Sequence, residues 1–168
     1  TEPCGLYTYT TGQNYLSYEQ MREGMIVNSP ANLTNGQTAT VTYTNNNSYH
    51  YFYNSNPTKN GYIEYVWEMQ SNISLNGPNP IYLLMPNGTI RYPIYYNSTA
   101  GIVTVRFDSI YDKYASYTHD LKMNIIGFCG GGAPSQTTLK TYWVRDPSCG
   151  TGCKELLSCD MKYSIIVK

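Results

Sequence analysis

The sequence predicts an all-β domain, a sandwich or barrel of about ten short strands, on three observations. Polar and apolar residues alternate with period two in several stretches. Short strand-like runs recur between turn signals at about 8–12 residue spacing. Only Lys154-Glu155-Leu156-Leu157 suggests a helical turn. Thr38–Thr44 is the clearest case: Ala39, Val41 and Tyr43 share one face, and Thr38, Thr40, Thr42 and Thr44 the other. Side chains of a strand point alternately to opposite faces, so one face is made for a core and one for water. Asn35-Gly36 supplies the turn before this strand, and Asn45-Asn46-Asn47 the turn after it.

Taken in order, residues 1–20 are β-prone, with Leu6, Tyr7, Tyr9, Tyr15, Leu16 and Tyr18 among Thr, Ser and Gly. They read either as a first strand pair of the domain or as an extension that pairs with another subunit. Met21-Arg22-Glu23-Gly24 separates them from the next strand. Gly61–Gln70 puts Ile63, Tyr65, Trp67 and Met69 on one side, with Tyr62, Glu64 and Glu68 on the other. Ile81–Met85 is a short apolar run before a Pro86-Asn87-Gly88 turn. Thr89–Tyr96 is β-branched and aromatic, but Pro93 has no N–H to give a ladder and places it at an edge or bulge. Gly101–Phe107 is a strong strand. Tyr117–Ile125 turns Leu121, Met123 and Ile125 inward. Leu139–Val144 and Met161–Val167 complete the set.

At 168 residues the chain is one domain with an appendage at most, and long enough to bury a core. Charged residues make up only 13%, against about 25% in ordinary domains. Eleven Lys and Arg balance eleven Asp and Glu, with no basic patch of the kind nucleic-acid binding needs. Nineteen tyrosines, with many Asn, Thr and Ser, make the surface polar without making it ionic. A fold with few carboxylates has little to lose in acid, because acid unfolds proteins by protonating carboxylates that are paired in the native state. An acidic or otherwise harsh extracellular setting is therefore expected. No apolar run approaches the roughly 20 residues of a membrane-spanning helix. Thr1-Glu2-Pro3 reads as a mature N-terminus left after removal of a signal peptide.

Five N-x-[ST] acceptors, Asn32, Asn46, Asn72, Asn87 and Asn97, lie in or beside expected turns, where covalent N-glycans have to project. All five fall between residues 32 and 99, so the flanking segments are expected to include surfaces covered by other protein. Cys4, Cys129, Cys149, Cys153 and Cys159 make an odd count, so in a secreted chain at least one is free or bonded between chains. Disulfides are favoured over zinc because the C-x2-C pairs usual at zinc sites are missing. Catalytic signatures are missing too: no G-x-S-x-G, H-E-x-x-H or phosphate loop occurs. His50 and His119 read as packed or surface residues, and Gly130-Gly131-Gly132 as a turn. Nothing marks Glu64 and Glu68 as an acid–base pair. No enzyme, metal or cofactor is expected.

The strand rhythm from Met25 to Val167, the Tyr/Asn/Thr surface, the acceptors from Asn32 to Asn97 and the β-prone tail together resemble the thread-pilus subunits of heat- and acid-loving archaea. The resemblance covers the whole chain in layout and includes no diagnostic motif. It implies an immunoglobulin-like β-sandwich head over residues 21–168 and an N-terminal tail, residues 1–20, that completes the sandwich of the next copy. The donor strand would then lie within Cys4–Tyr18, and copies would join head to tail as an extracellular cell-surface filament for adhesion or biofilm formation. The physics is compatible: an added strand satisfies an unpaired edge, and heterologous contacts that do not close give a filament. Two rival readings share the same features. One is a carbohydrate-binding adhesive module using Tyr49–Tyr53 and Tyr92–Tyr96, and the other a viral coat or surface-layer component.

Overall fold

The computed structural model describes residues 26–45, 60–70, 72–108, 119–144, 147–148, 154–156 and 160–168. Within them thirteen strands form two sheets. They are β1 (Ile26–Asn28), β2 (Asn32–Leu33), β3 (Thr38–Asn45), β4 (Tyr62–Met69), β5 (Ile73–Leu75), β6 (Ile81–Leu84) and β7 (Ile90–Arg91). Then come β8 (Tyr95–Thr99), β9 (Ile102–Asp108), β10 (His119–Gly127), β11 (Pro134–Val144), β12 (Lys154–Leu156) and β13 (Met161–Val167). The first sheet runs β1-β3-β10-β6-β7, with β5 also on β10. The second runs β2-β13-β11-β4-β9-β8, with β12 also on β11. Every pair is antiparallel except β2 with β13.

Alternation decides which face is buried. Val41 and Tyr43 of β3, Ile63, Tyr65 and Trp67 of β4, Val103, Val105 and Phe107 of β9, and Leu121, Met123 and Ile125 of β10 all point into one core. Burying such a side chain stabilises by about 1.5–3 kcal/mol, so these faces can lie in only one register. The core is unusually aromatic. Tyr43 meets Trp67 edge-on with centroids 6.1 Å apart, Tyr65 meets Phe107 at 5.9 Å, and Trp67 Nε1 donates to the Tyr43 hydroxyl at 3.0 Å. An edge-on pair of this kind adds to area burial through ring electrostatics.

Two of the crossings between the sheets pass a proline among the described residues. The chain leaves β1 in the first sheet, passes Pro30, and enters the second sheet as β2. It leaves β7 and enters the second sheet as β8 across Pro93, so the residue expected at an edge or bulge marks the change of sheet. The run from Thr89 to Tyr96 is thus two edge strands. Three further expectations are corrected. Lys154–Leu156 is a strand on β11, not a helical turn, because β11 offers an open edge at Tyr142–Val144 beyond the end of β13. The strand expected from Leu139 begins at Pro134. The count of about ten strands omits two- and three-residue strands such as β2 and β5. The tail 1–20, Tyr49–Tyr53 and His50 lie outside the described residues.

Candidate assembly edges and glycan acceptors

Where a sheet ends, its backbone polar groups need a partner. On one side the second sheet ends at β2, which covers only Ile166 and Val167 of β13. Ile166 N donates to Ala31 O and Lys168 N to Leu33 O, both at 2.9 Å, so these N–H groups face the two-residue β2. By alternation the backbone groups of Ser164 and Lys162 face the same way, and among the described residues no strand pairs with them there. At the other side the sheet ends at β8, whose five residues are all exposed. Beside β5, the short side strand on β10, an open cleft of about 380 Å³ is lined by Met69, Ile73, Leu75, Ser98, Gly101 and Val103.

The glycan acceptors differ in geometry. Asn32 is exposed on β2. Asn87 is exposed in the turn between β6 and β7, where its Oδ1 accepts from the Thr89 amide at 2.9 Å. Asn97 stands at the centre of β8, its Oδ1 accepting from Thr99 Oγ1 at 3.1 Å. Asn72 is half-buried: its Oδ1 accepts from Ser135 Oγ, and its amide nitrogen packs where a side chain on Gly130 would have to go. Asn46 lies outside the described residues. Cys129 is exposed with a free thiol, while Cys4, Cys149, Cys153 and Cys159 lie outside the described residues. So do the donor-strand candidates Leu6, Tyr7, Tyr9, Tyr15, Leu16 and Tyr18.

The outer face of the second sheet holds an arrangement that spacing did not reveal. Glu64, expected to face water, does face outward but is only 2% exposed. Arg106 Nε of β9 donates to its Oε2 at 2.8 Å, and Lys154 Nζ of β12 lies 2.5 Å from its Oε1. The Arg106 guanidinium also lies over the rings of Tyr62 and Tyr95, at 4.7 and 4.5 Å from their centroids, and Lys154 over Tyr142 at 4.5 Å. Partial burial works against the charge on Arg106. The hydrogen bond to Glu64, with the electrostatic contributions of Tyr62, Glu64 and Tyr95, more than offsets it, so the guanidinium pKa is raised. This is a cross-strand clasp that reaches from β9 over β4 to β12, which lies on the far side of β11. No cluster of metal-ligating side chains occurs among the described residues, and none of their helices is long and apolar enough to cross a membrane.

The chain matches no protein-family model, and no curated protein matches it in sequence. Solved structures share its fold. A cohesin module from a family 33 glycoside hydrolase of Clostridium perfringens superposes with a TM-score of 0.53 at 11% identity, over 86% of this chain and 96% of the module. The N-terminal domain of the Streptococcus gordonii adhesin Sgo0707 gives 0.50 at 13% identity, over 86% of this chain and 32% of that one. The pilus backbone RrgB of Streptococcus pneumoniae gives 0.50 at 9% identity, over 71% of this chain and 28% of that one. The chain thus spans about a third or less of these two structures. At such identities the likeness is one of fold: this chain is an immunoglobulin-like β-sandwich of the kind used in bacterial adhesin and pilus domains.

Proposed function

We propose that this protein is a structural, adhesive β-domain of an extracellular cell-surface assembly, and that residues 1–20 join copies head to tail by pairing with an open sheet edge of the next copy. The observation that carries this reading is β13. Its stretch Met161–Ile165 offers outward backbone groups that β2 is too short to reach. An incoming strand would satisfy them, as strand addition does at other exposed edges. Twenty extended residues reach roughly 65–70 Å, well beyond a head of roughly 15 Å radius of gyration. The shared fold with adhesin and pilus domains supports the same reading, as does a surface whose polarity comes from Tyr, Asn and Thr rather than charge.

Light scattering on the full chain and on a chain starting at Met21 tests this. Polymers from the full chain and monomers from the shorter one are the expected result. Monomers from both would overturn the head-to-tail reading and point to a monomeric adhesive module, to be tried next for glycan binding.

A further inference from the structure

Among the described residues nothing pairs with the outer side of β8. Edge strands are commonly blunted by charge, proline, a bulge or brevity. From Tyr95 to Thr99 there is no charged residue and no proline. The register against β9 is unbroken from Tyr95 against Arg106 to Thr99 against Ile102, and just before it Ile94 N donates to Arg106 O at 2.7 Å. Thr99 and Ile102 close the two-residue turn, so alternation directs the backbone groups of Tyr96 and Ser98 to the open side. Around this edge lie exposed apolar side chains: Ile90, Tyr92, Ile94, Tyr95, Tyr96 and Ile102, each between 41% and 56% exposed. Among the described residues no strand pairs with these backbone groups, and beside such a patch they are a template for pairing with a second copy.

One residue of the edge is a site for a covalent cover. Asn97 is the central residue of β8, stands on the outer face beside Thr104, and heads an acceptor tripeptide whose Thr99 hydroxyl already bonds its amide oxygen. We infer that the N-glycan at Asn97 is the cover of the β8 edge, keeping copies from joining side by side. The transfer takes an oligosaccharide from a lipid-pyrophosphate donor. A bond forms between Asn97 Nδ2 and the anomeric carbon, the anomeric C–O bond to pyrophosphate breaks, and the amide proton leaves to solvent. A bulky hydrophilic group at the middle of the strand would bar an incoming strand and shade the apolar side chains next to it. The inference rests on sugar occupancy at Asn97 and is independent of the head-to-tail reading.

The test uses the full chain made in a glycosylating host, with site occupancy read by intact mass and glycopeptide mapping. Asn97→Gln and Thr99→Ala each abolish the acceptor by a different route. Both are expected at least to double particle mass in sedimentation velocity at matched concentration, or, if the parent forms threads, to make threads associate laterally in micrographs. Adding Ile94→Lys and Tyr96→Lys to Asn97→Gln is expected to restore the parent's behaviour. An unmodified Asn97 in the parent, variants that assemble like the parent, or a failure of the lysines to reverse the association would each overturn the inference. Lengthwise polymerisation reports on the tail and lateral association on β8, so the two readings fail separately.

Discussion

At the residue scale, Glu64 shows how position in a sheet can override polarity in a sequence. The period-two pattern sends it to the outer face, where a carboxylate would ordinarily be solvated. It is covered because Arg106, 42 residues away, and Lys154 close over it while stacking on Tyr62, Tyr95 and Tyr142. Breaking a buried ion pair costs about 3–5 kcal/mol because the remaining charge is stranded. Here the cations are 35% and 34% exposed and keep part of their hydration, which reduces the cost. Glu64→Gln is therefore expected to destabilise by about 1–3 kcal/mol, lowering the urea midpoint at unchanged slope. An unaltered midpoint would mean the clasp contributes nothing.

At the element scale, the β8–β9 hairpin turns on Ala100 and Gly101, both with positive φ, at 54° and 82°. Two-residue hairpins of this hand match the twist of the flanking strands but favour Asn-Gly, since alanine is strained in the left-handed region by about 1–2 kcal/mol. Gly101 is further constrained, because a Cβ there would lie 2.7 Å from the carbonyl oxygen of Met69. Ala100→Asn is expected to raise the melting temperature by about 2–4 °C, and Gly101→Ala to lower it by more than that, as measured by calorimetry. Ala100-Gly101 is a weak turn signal compared with Asn35-Gly36. The sequence accordingly shows a β-prone run ending at Tyr96, whereas the strand continues to Thr99.

At the scale of the whole molecule, the pH profile is expected to be lopsided. Only eleven of 168 residues are Asp or Glu, so acid has few paired carboxylates to neutralise, and the fold should largely persist from pH 7 toward pH 2. Base has more to act on. Burial pushes the phenols of Tyr43 and Tyr163 up, and Tyr163 raises Tyr43 further. In the unfolded chain they ionise near 10.0. Above that pH the folded state holds protons the unfolded state has released, so stability falls as pH rises toward the folded values. The slope is up to about 1.4 kcal/mol per pH unit for each group. Urea titrations at fixed pH values should show this loss, and Tyr163→Phe should make the alkaline limb shallower. A steep acid limb or a flat alkaline one would contradict it.

The sequence by itself determined the fold class and the long strands. Ala39, Val41 and Tyr43, Ile63, Tyr65 and Trp67, and Leu121, Met123 and Ile125 lie inside because alternation is a local steric property of an extended chain. The role of Pro93 at an edge was equally local, since a residue without an N–H cannot sit within a ladder. Tertiary structure alone decided the rest. Strands β5 and β12 are too short to carry a period, and Lys154–Leu156 has no intrinsic reason to extend; each exists because β10 or β11 leaves an edge for it. The same holds for the clasp on Glu64, the seating of Asn72 against Gly130, and the contrast between the β8 and β13 edges. Strand pairing joins residues far apart in the chain, and no local pattern records which edges remain open once it is complete.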